Sequence, residues 1–175
     1  MPSYDIKFKK MLATDLKLLH LWFQLPHVLK WYARDEQYTF EMLEEKYLPR
    51  INDKSIQSFI ISDHDKPVGY IQFYHVANHY PEGIKNEEHP IFNDFKAHEL
   101  VGIDLFIADE KYLHSGFGTE ALKNFINNYI QDKFKAILVD PDKKNSIAIH
   151  FFEKNGFRHI FSQDVQHDLM LNDCI

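Results

Sequence analysis

Thiols are almost absent from this 175-residue chain: Cys174 is its one cysteine. An internal disulfide framework is therefore excluded, and the composition suits a reducing, cytoplasmic setting. No apolar run approaches the roughly 18 residues that a membrane span requires. The opening Met1-Pro2-Ser3-Tyr4-Asp5 lacks the charged-then-apolar order of a signal peptide. Positive charge is not in excess either, since 20 Lys and Arg face 26 Asp and Glu for a net charge of −6. That balance argues against a nucleic-acid protein, whose affinity rests on clustered Lys and Arg. No internal repeat, low-complexity tract or linker interrupts the chain.

Apolar residues make up 45% and aromatic residues 15% of the sequence, so the chain is globular rather than disordered. Its length suits one domain over residues 1–175, with room for a full core and a ligand cleft. Acidic residues concentrate between Glu82 and Glu110, where eight face only Lys85 and Lys96. Two readings stand: a solvated acidic face, or a field that attracts a polycationic substrate.

Hydrophobic periodicity and punctuation predict a mixed α+β order. Ile6 and Phe8 start a strand, and Thr14-Asp15 caps a helix through Leu16 to Phe23. Pro26 begins a second helix through Trp31. Thr39 and Phe40 open a third, which Pro49 helps to end. Residues 57–62 and 67–76 read as strands around a polar hairpin turn at residues 63–66. Residues 77–97 form a polar insertion of no clear period, a length that is usually functional or mobile. Residues 102–107, 136–139, 157–161 and 168–171 read as further strands. Helices are expected over residues 118–132 and 146–154, the latter stopped by Gly156.

The stretch richest in chemical meaning is Leu113-His114-Ser115-Gly116-Phe117-Gly118-Thr119. It places two glycines one residue apart between a strand and an amphipathic helix. A bound diphosphate needs backbone N–H groups that no side chain shields. A helix N-terminus supplies such donors together with the positive end of its dipole. An ordinary helix start is the plainer alternative.

This order of elements resembles the GNAT superfamily of acyl-CoA-dependent N-acyltransferases. A second segment agrees, from Asn145-Ser146-Ile147-Ala148 to Phe152 and on to Gly156-Phe157, and is similar to the family's Asn-x-x-Ala-x-x-x-Tyr-x-x-x-Gly-Phe pattern. Further stretches resemble aminoglycoside 6′-N-acetyltransferases in particular: His27-Val28-Leu29-Lys30-Trp31-Tyr32, Glu45-Lys46-Tyr47-Leu48-Pro49, Pro67-Val68-Gly69-Tyr70-Ile71-Gln72, Gly102-Ile103-Asp104 and Val139-Asp140-Pro141. The resemblance implies a mostly antiparallel mixed sheet flanked by helices, with acetyl-CoA as co-substrate and a cationic small-molecule amine as acceptor. It departs from the family at Leu113, where Arg or Gln is common. It departs also at Phe152, where a tyrosine protonates the departing thiolate, because a phenyl ring donates no proton.

The resemblance further implies roles for individual residues. Leu113, His114, Ser115, Gly116, Phe117, Gly118 and Thr119 would cradle the CoA diphosphate. Asn145 would bond the pantetheine arm or cap the helix that follows it, and Phe152 would sit by the cofactor. A main-chain N–H between Leu105 and Ile107 would stabilise the tetrahedral oxyanion, a contribution of about 3 kcal/mol in a dry site. Asp104 interrupts an apolar strand pattern, which costs stability unless the carboxylate is partnered or solvated. It would receive the reactive amine as general base or positioning group, the alternative being a structural carboxylate. Asp140 would contact a second amine, or is a turn residue before Pro141. Trp31, Tyr32, Gln72 and Tyr74 would line a sugar-binding wall, with core packing the alternative for Trp31. Glu87 and Glu88 would clamp further ammonium groups, or belong to a solvated loop.

Direct attack of the amine on the thioester is expected, because Cys174 lies outside every motif. The 11 histidines form no zinc motif. The expectation is an aminoglycoside 6′-N-acetyltransferase. Two alternatives stay open: a polyamine or hydroxylysine acyltransferase, and an acyl-CoA-binding module without turnover.

Overall fold

The computed structural model describes residues 3–173, so Cys174 lies outside the described residues. Strands β1 (Ile6–Lys10), β2 (Ile56–Asp63), β3 (Lys66–His75), β4 (Leu100–Ile107), β5 (Ala136–Val139), β6 (Arg158–Ile160) and β7 (Leu169–Asp173) form one sheet. Their order across it is β1-β2-β3-β4-β5-β7-β6. The helices are α1 (Leu16–Phe23), α2 (Pro26–Trp31), α3 (Phe40–Ile51), α4 (Ile91–Asp94), α5 (Phe117–Phe125) and α6 (Ser146–Lys154). This is the α+β, mostly antiparallel architecture the sequence predicts. The described residues form two compact units, residues 3–72 with 105–121 and residues 73–104 with 122–173. Among the described residues, no helix is long and apolar enough to cross a membrane.

In the first unit, β1 pairs antiparallel with β2 from Ile6↔Asp63 to Lys10↔Phe59. The β2–β3 connection is the two-residue turn His64-Asp65, with φ of 47° and 66°. Two consecutive left-handed residues match the twist of a hairpin, and His and Asp tolerate that conformation better than branched residues. Thr39 caps α3 through its hydroxyl, which accepts from the Met42 amide at 3.2 Å. Pro49 does not end α3, which continues to Ile51. Proline removes one bond close to the C-terminus, and the helix already holds Leu43 and Tyr47 in the core. That core joins Leu16, Leu19, Phe23, Leu43, Tyr47 and Tyr70.

In the second unit, β4 runs parallel to β5 through Leu100↔Ala136, Val101↔Ile137 and Gly102↔Leu138. β5 pairs antiparallel with β7, and β7 with β6. Val76, Ile84, Ile91, Leu100, Leu138 and Leu169 form the core here. The insertion is therefore anchored, with α4 supplying Ile91 to this core. After Phe125 the helix widens into a π-helical turn, Ile126–Ile130. The wider turn brings Ile130, five residues beyond Phe125, back to the buried side. A regular 3.6-residue period misses this widening, and the helix also begins one residue earlier than expected.

Gly102 shows how tightly the second unit packs. A Cβ there would overlap the Tyr74 ring, which is itself buried. Gly102→Ala is expected to destabilise the protein by about 1–3 kcal/mol through overpacking. Chemical denaturation with an unchanged m-value would verify this.

Candidate functional site

In the first unit, residues 113–116 turn the chain into α5. His114 and Gly116 are both left-handed, with φ of 58° and 88°. The serine between them locks the bend: its hydroxyl donates to the Tyr112 carbonyl at 2.7 Å and accepts from the Phe117 amide at 3.3 Å. The first bond into α5 runs from the Glu120 amide to the Gly116 carbonyl at 3.2 Å. The Gly118 amide, ahead of it, is thus an N-terminal donor with no intrahelical acceptor. A Cβ built on Gly116 meets no atom within 4 Å, so this side of the turn is open. Phe117 is fully buried beneath it. Left-handed backbone, an open face and helix-start amides are what a diphosphate requires.

Strand β4 carries the next set. The Leu100 carbonyl accepts from the Val76 amide at 3.2 Å, and the Ala108 amide donates to the Val68 carbonyl at 2.8 Å. Val68 belongs to β3 and Val76 directly follows it; Leu100 opens β4 and Ala108 directly follows it, so both positions on this side are even-numbered. Strand alternation therefore turns the amides of the odd-numbered Leu105 and Ile107 to the opposite edge. On that edge the register with β5 ends at Gly102. The Ile107 carbonyl accepts from His27 Nε2 at 2.9 Å, a contact absent from the sequence-based expectations. His27 Nδ1 is buried without a hydrogen bond.

The other predicted residues of the first unit are packed. Tyr32 lies against Phe106 and Phe23, with ring centroids 4.7 and 5.8 Å away. Trp31 is half-buried, and the Lys30 ammonium sits 4.6 Å above its ring. Gln72 is only 5% exposed. Its Oε1 accepts from the Tyr70 hydroxyl at 2.7 Å, and the Tyr70 oxygen in turn accepts from the Ser58 hydroxyl at 2.8 Å. A polar residue inside a strand is here satisfied by a buried network.

In the second unit, Asp104 is half-buried on β4, in the apolar pattern that singled it out. Asp140, just past β5, accepts from the Glu82 amide at 2.7 Å, which ties the insertion to the strand end. Asn145 caps α6 by accepting from the Ala148 amide at 3.1 Å. Phe152 is 8% exposed and packs between Phe151 and Phe157, at 5.2 and 5.3 Å. Its neighbour His150 is exposed beside Glu153, 4.0 Å away. Glu87 and Glu88 are exposed on the insertion, and Tyr74 is buried against Gly102.

Loop 161–168 supports the insertion. Gln163 Oε1 accepts from the Lys85 amide at 2.7 Å, and the buried His89 donates through Nε2 to the Phe161 carbonyl at 2.9 Å. Glu82, Asp164 and His167 bring their ligand atoms within 4.8 Å of one another. Asp164 Oδ2 is already engaged by His167 Nδ1 and by the amides of Gln166 and His167, at 2.7, 3.0 and 2.8 Å. The trio thus closes a loop. A surface concavity of about 590 Å³ between Phe95, His98 and Lys135 contains none of the predicted residues.

The acetyltransferase (GNAT) domain model matches residues 11–165, and the chain belongs to that family, whose acetyl donor is acetyl-CoA. Among relatives, spermidine N(1)-acetyltransferase of Escherichia coli K12 is 22% identical, over 98% of this chain and 82% of its own length. The structure of the aminoglycoside acetyltransferase AAC(6′)-Ib with ribostamycin and coenzyme A aligns with a TM-score of 0.77. It shares 25% identity over 96% of this chain and 93% of that one. An uncharacterised Bacillus halodurans protein aligns equally well, with a TM-score of 0.77 at 22% identity over 97% of this chain and 84% of its own. These likenesses carry the fold and the acetyltransferase class.

Two outcomes follow from this geometry. The hydrogen bond from His167, with the His167 and Gln166 amides, outweighs desolvation and draws the Asp164 carboxyl down to about 2. A carboxyl depressed below its unfolded value of about 3.9 stabilises the fold above that pH, and the contribution disappears as pH falls toward 2. Asp164→Asn should therefore melt below the parent near neutrality, with the gap closing as thermal melts are taken to lower pH. Asn145→Ala should cost about 1 kcal/mol from the lost cap, while Asn145→Ser should melt like the parent. A serine variant that is stable yet binds CoA more weakly would assign Asn145 to the cofactor as well. Unchanged affinity would confine it to capping.

Proposed function

We propose that the chain transfers the acetyl group of acetyl-CoA to the 6′-amino group of an aminoglycoside, by direct attack of the amine on the thioester. Acetyl-CoA supplies an activated acyl carbon. The chain supplies anchoring, an oxyanion donor and a group to receive the amine. The turn at residues 113–118 anchors the diphosphate through backbone amides, and its open, left-handed Gly116 is the observation that carries this reading. Leu113 does not disturb the cradle, because the donors belong to the backbone.

The Leu105 or Ile107 amide, on the strand edge β5 leaves after Gly102, serves as oxyanion donor. A fixed amide is already oriented and gains strength where water is excluded. Asp104, half-buried in an otherwise apolar strand, receives the ammonium and takes its proton directly or through a water. Asp140 and the exposed Glu87 and Glu88 add negative charge suited to a polyamine-rich drug. Likeness to AAC(6′)-Ib bound to ribostamycin or kanamycin supports an aminoglycoside acceptor, and likeness to a spermidine acetyltransferase supports a polyamine one. Phe152, buried among aromatic rings, offers the leaving sulfur no proton, so the thiolate departs to another donor or to solvent.

Thiol release from acetyl-CoA, measured with kanamycin, ribostamycin, spermidine and N-hydroxylysine, distinguishes the acceptors. Release with the two drugs is expected. Release with spermidine alone would assign a polyamine acetyltransferase, and CoA binding with no release from any amine would leave a binding module. Asp104→Asn should lower kcat by about 100-fold or more with acetyl-CoA affinity retained. An unchanged kcat would remove Asp104 from proton transfer.

A further inference from the structure

Asp63 is the one buried carboxylate among the described residues, 8% exposed. Three hydrogen bonds hold it. Oδ1 accepts from the Asp5 amide and from His64 Nδ1, both at 2.8 Å, and Oδ2 accepts from the Tyr112 hydroxyl at 3.0 Å. Burial raises its pKa, but the Asp5 amide, the Tyr112 hydroxyl and His64 outweigh that and hold the carboxyl below its ordinary range. A buried carboxylate is weak evidence for stability, because well-packed apolar residues of similar volume often do as well or better. Its use is better sought in what it orients.

What it orients is the turn. Tyr112 receives the Ser115 hydroxyl on its carbonyl at 2.7 Å, and the Ser115 oxygen accepts from the Phe117 amide at 3.3 Å. Asp63 is therefore linked to the first residue of α5 by hydrogen bonds at the two ends of Tyr112, its side-chain hydroxyl and its carbonyl, and through Ser115. Tyr4 grips the same bend from another direction: its hydroxyl donates to the Ser115 carbonyl at 3.1 Å. The rings of Tyr4 and Tyr112 stand edge-on to Phe117, with centroids 5.0 and 4.7 Å away. Left-handed His114 and Gly116 are costly to hold unless their surroundings over-determine them. These contacts do so on the protein side, while the Gly116 side stays open.

We infer that Asp63, acting through Tyr112, is a positioning residue that sets the amides of the diphosphate turn; this rests on the cofactor reading above. The carboxylate touches neither substrate nor cofactor. It fixes the Tyr112 side chain, and with it the carbonyl on which Ser115 depends.

Tyr112→Phe removes one hydroxyl and keeps the ring, and Asp63→Asn removes the charge and keeps the shape. Both variants, the double variant and the parent would be titrated with CoA, following Kd and the backbone amide resonances of Gly116 and Gly118. The expected result is a shift of both glycine amides in each CoA-free variant and a rise in Kd of roughly fivefold. The double variant should be no weaker than the weaker single one, because the two residues act in series. KM for the amine should change little, whereas the thermal midpoint of Tyr112→Phe should fall, because a buried carboxylate oxygen loses its donor. If CoA moves both glycine amides in the parent but the variants bind it as tightly, the positioning role is overturned and the cofactor reading stands. If CoA leaves both amides unmoved in the parent, the cofactor reading fails and the positioning role with it. Should Asp63→Asn fail to fold, Tyr112→Phe alone decides between these outcomes.

Discussion

The alternation of β4 is the constraint on which the rest depends. Even-numbered residues spend their backbone groups on one neighbour, through Leu100 to Val76 and Ala108 to Val68. Odd-numbered residues turn the other way, and there the β5 ladder ends at Gly102 while the strand continues to Ile107. Past that point the alternation turns the amides of Leu105 and Ile107 away from β3. Buried backbone donors need partners, and the proposed oxyanion is a partner that such an amide could take. Asp104 and Leu105 are each half-buried on β4, and the proposed function gives the one the amine and the other the oxyanion.

Local signals made much of the fold legible. Pro26 opens α2, Thr39 caps α3, and the strand at residues 136–139 and the helix at residues 146–154 agree with β5 and α6. Each is set by neighbours within four or five positions: a fixed proline φ, a hydroxyl facing an amide, a short apolar run before Asp-Pro. Pro49 shows the limit of such signals, because core packing carries α3 past it. The glycine turn was legible for the same local reason, though what holds it was not. Tyr112 meets Asp63 across 49 residues and Tyr4 meets Ser115 across 111, and no period or spacing marks a tyrosine that points at a distant carboxylate.

Side-chain direction was the other hidden quantity. Gln72 on a strand and Tyr32 after a helix have the chemistry of a sugar-binding wall. Gln72 nevertheless turns into a network with Tyr70, and Tyr32 packs on Phe106. Amphipathic residues suit a ligand surface and a satisfied core equally well, and composition does not choose between them. Asp140 belongs with these, since its carboxylate holds the Glu82 amide and so couples a predicted ligand residue to the anchoring of the acidic insertion.

The π-helical turn after α5 has a meaning of its own. Gln131 reaches back five residues to the Ile126 carbonyl at 2.8 Å, so residues 126–130 hold one more amino acid than an ordinary helix of that length accommodates. Such a bulge is how a helix absorbs a single added codon without rotating its remaining apolar contacts out of the interior. Excising one residue from this stretch would restore a uniform pitch with Ile130 still directed inward. The segment is therefore a place where the chain could change in length by one without a change of architecture.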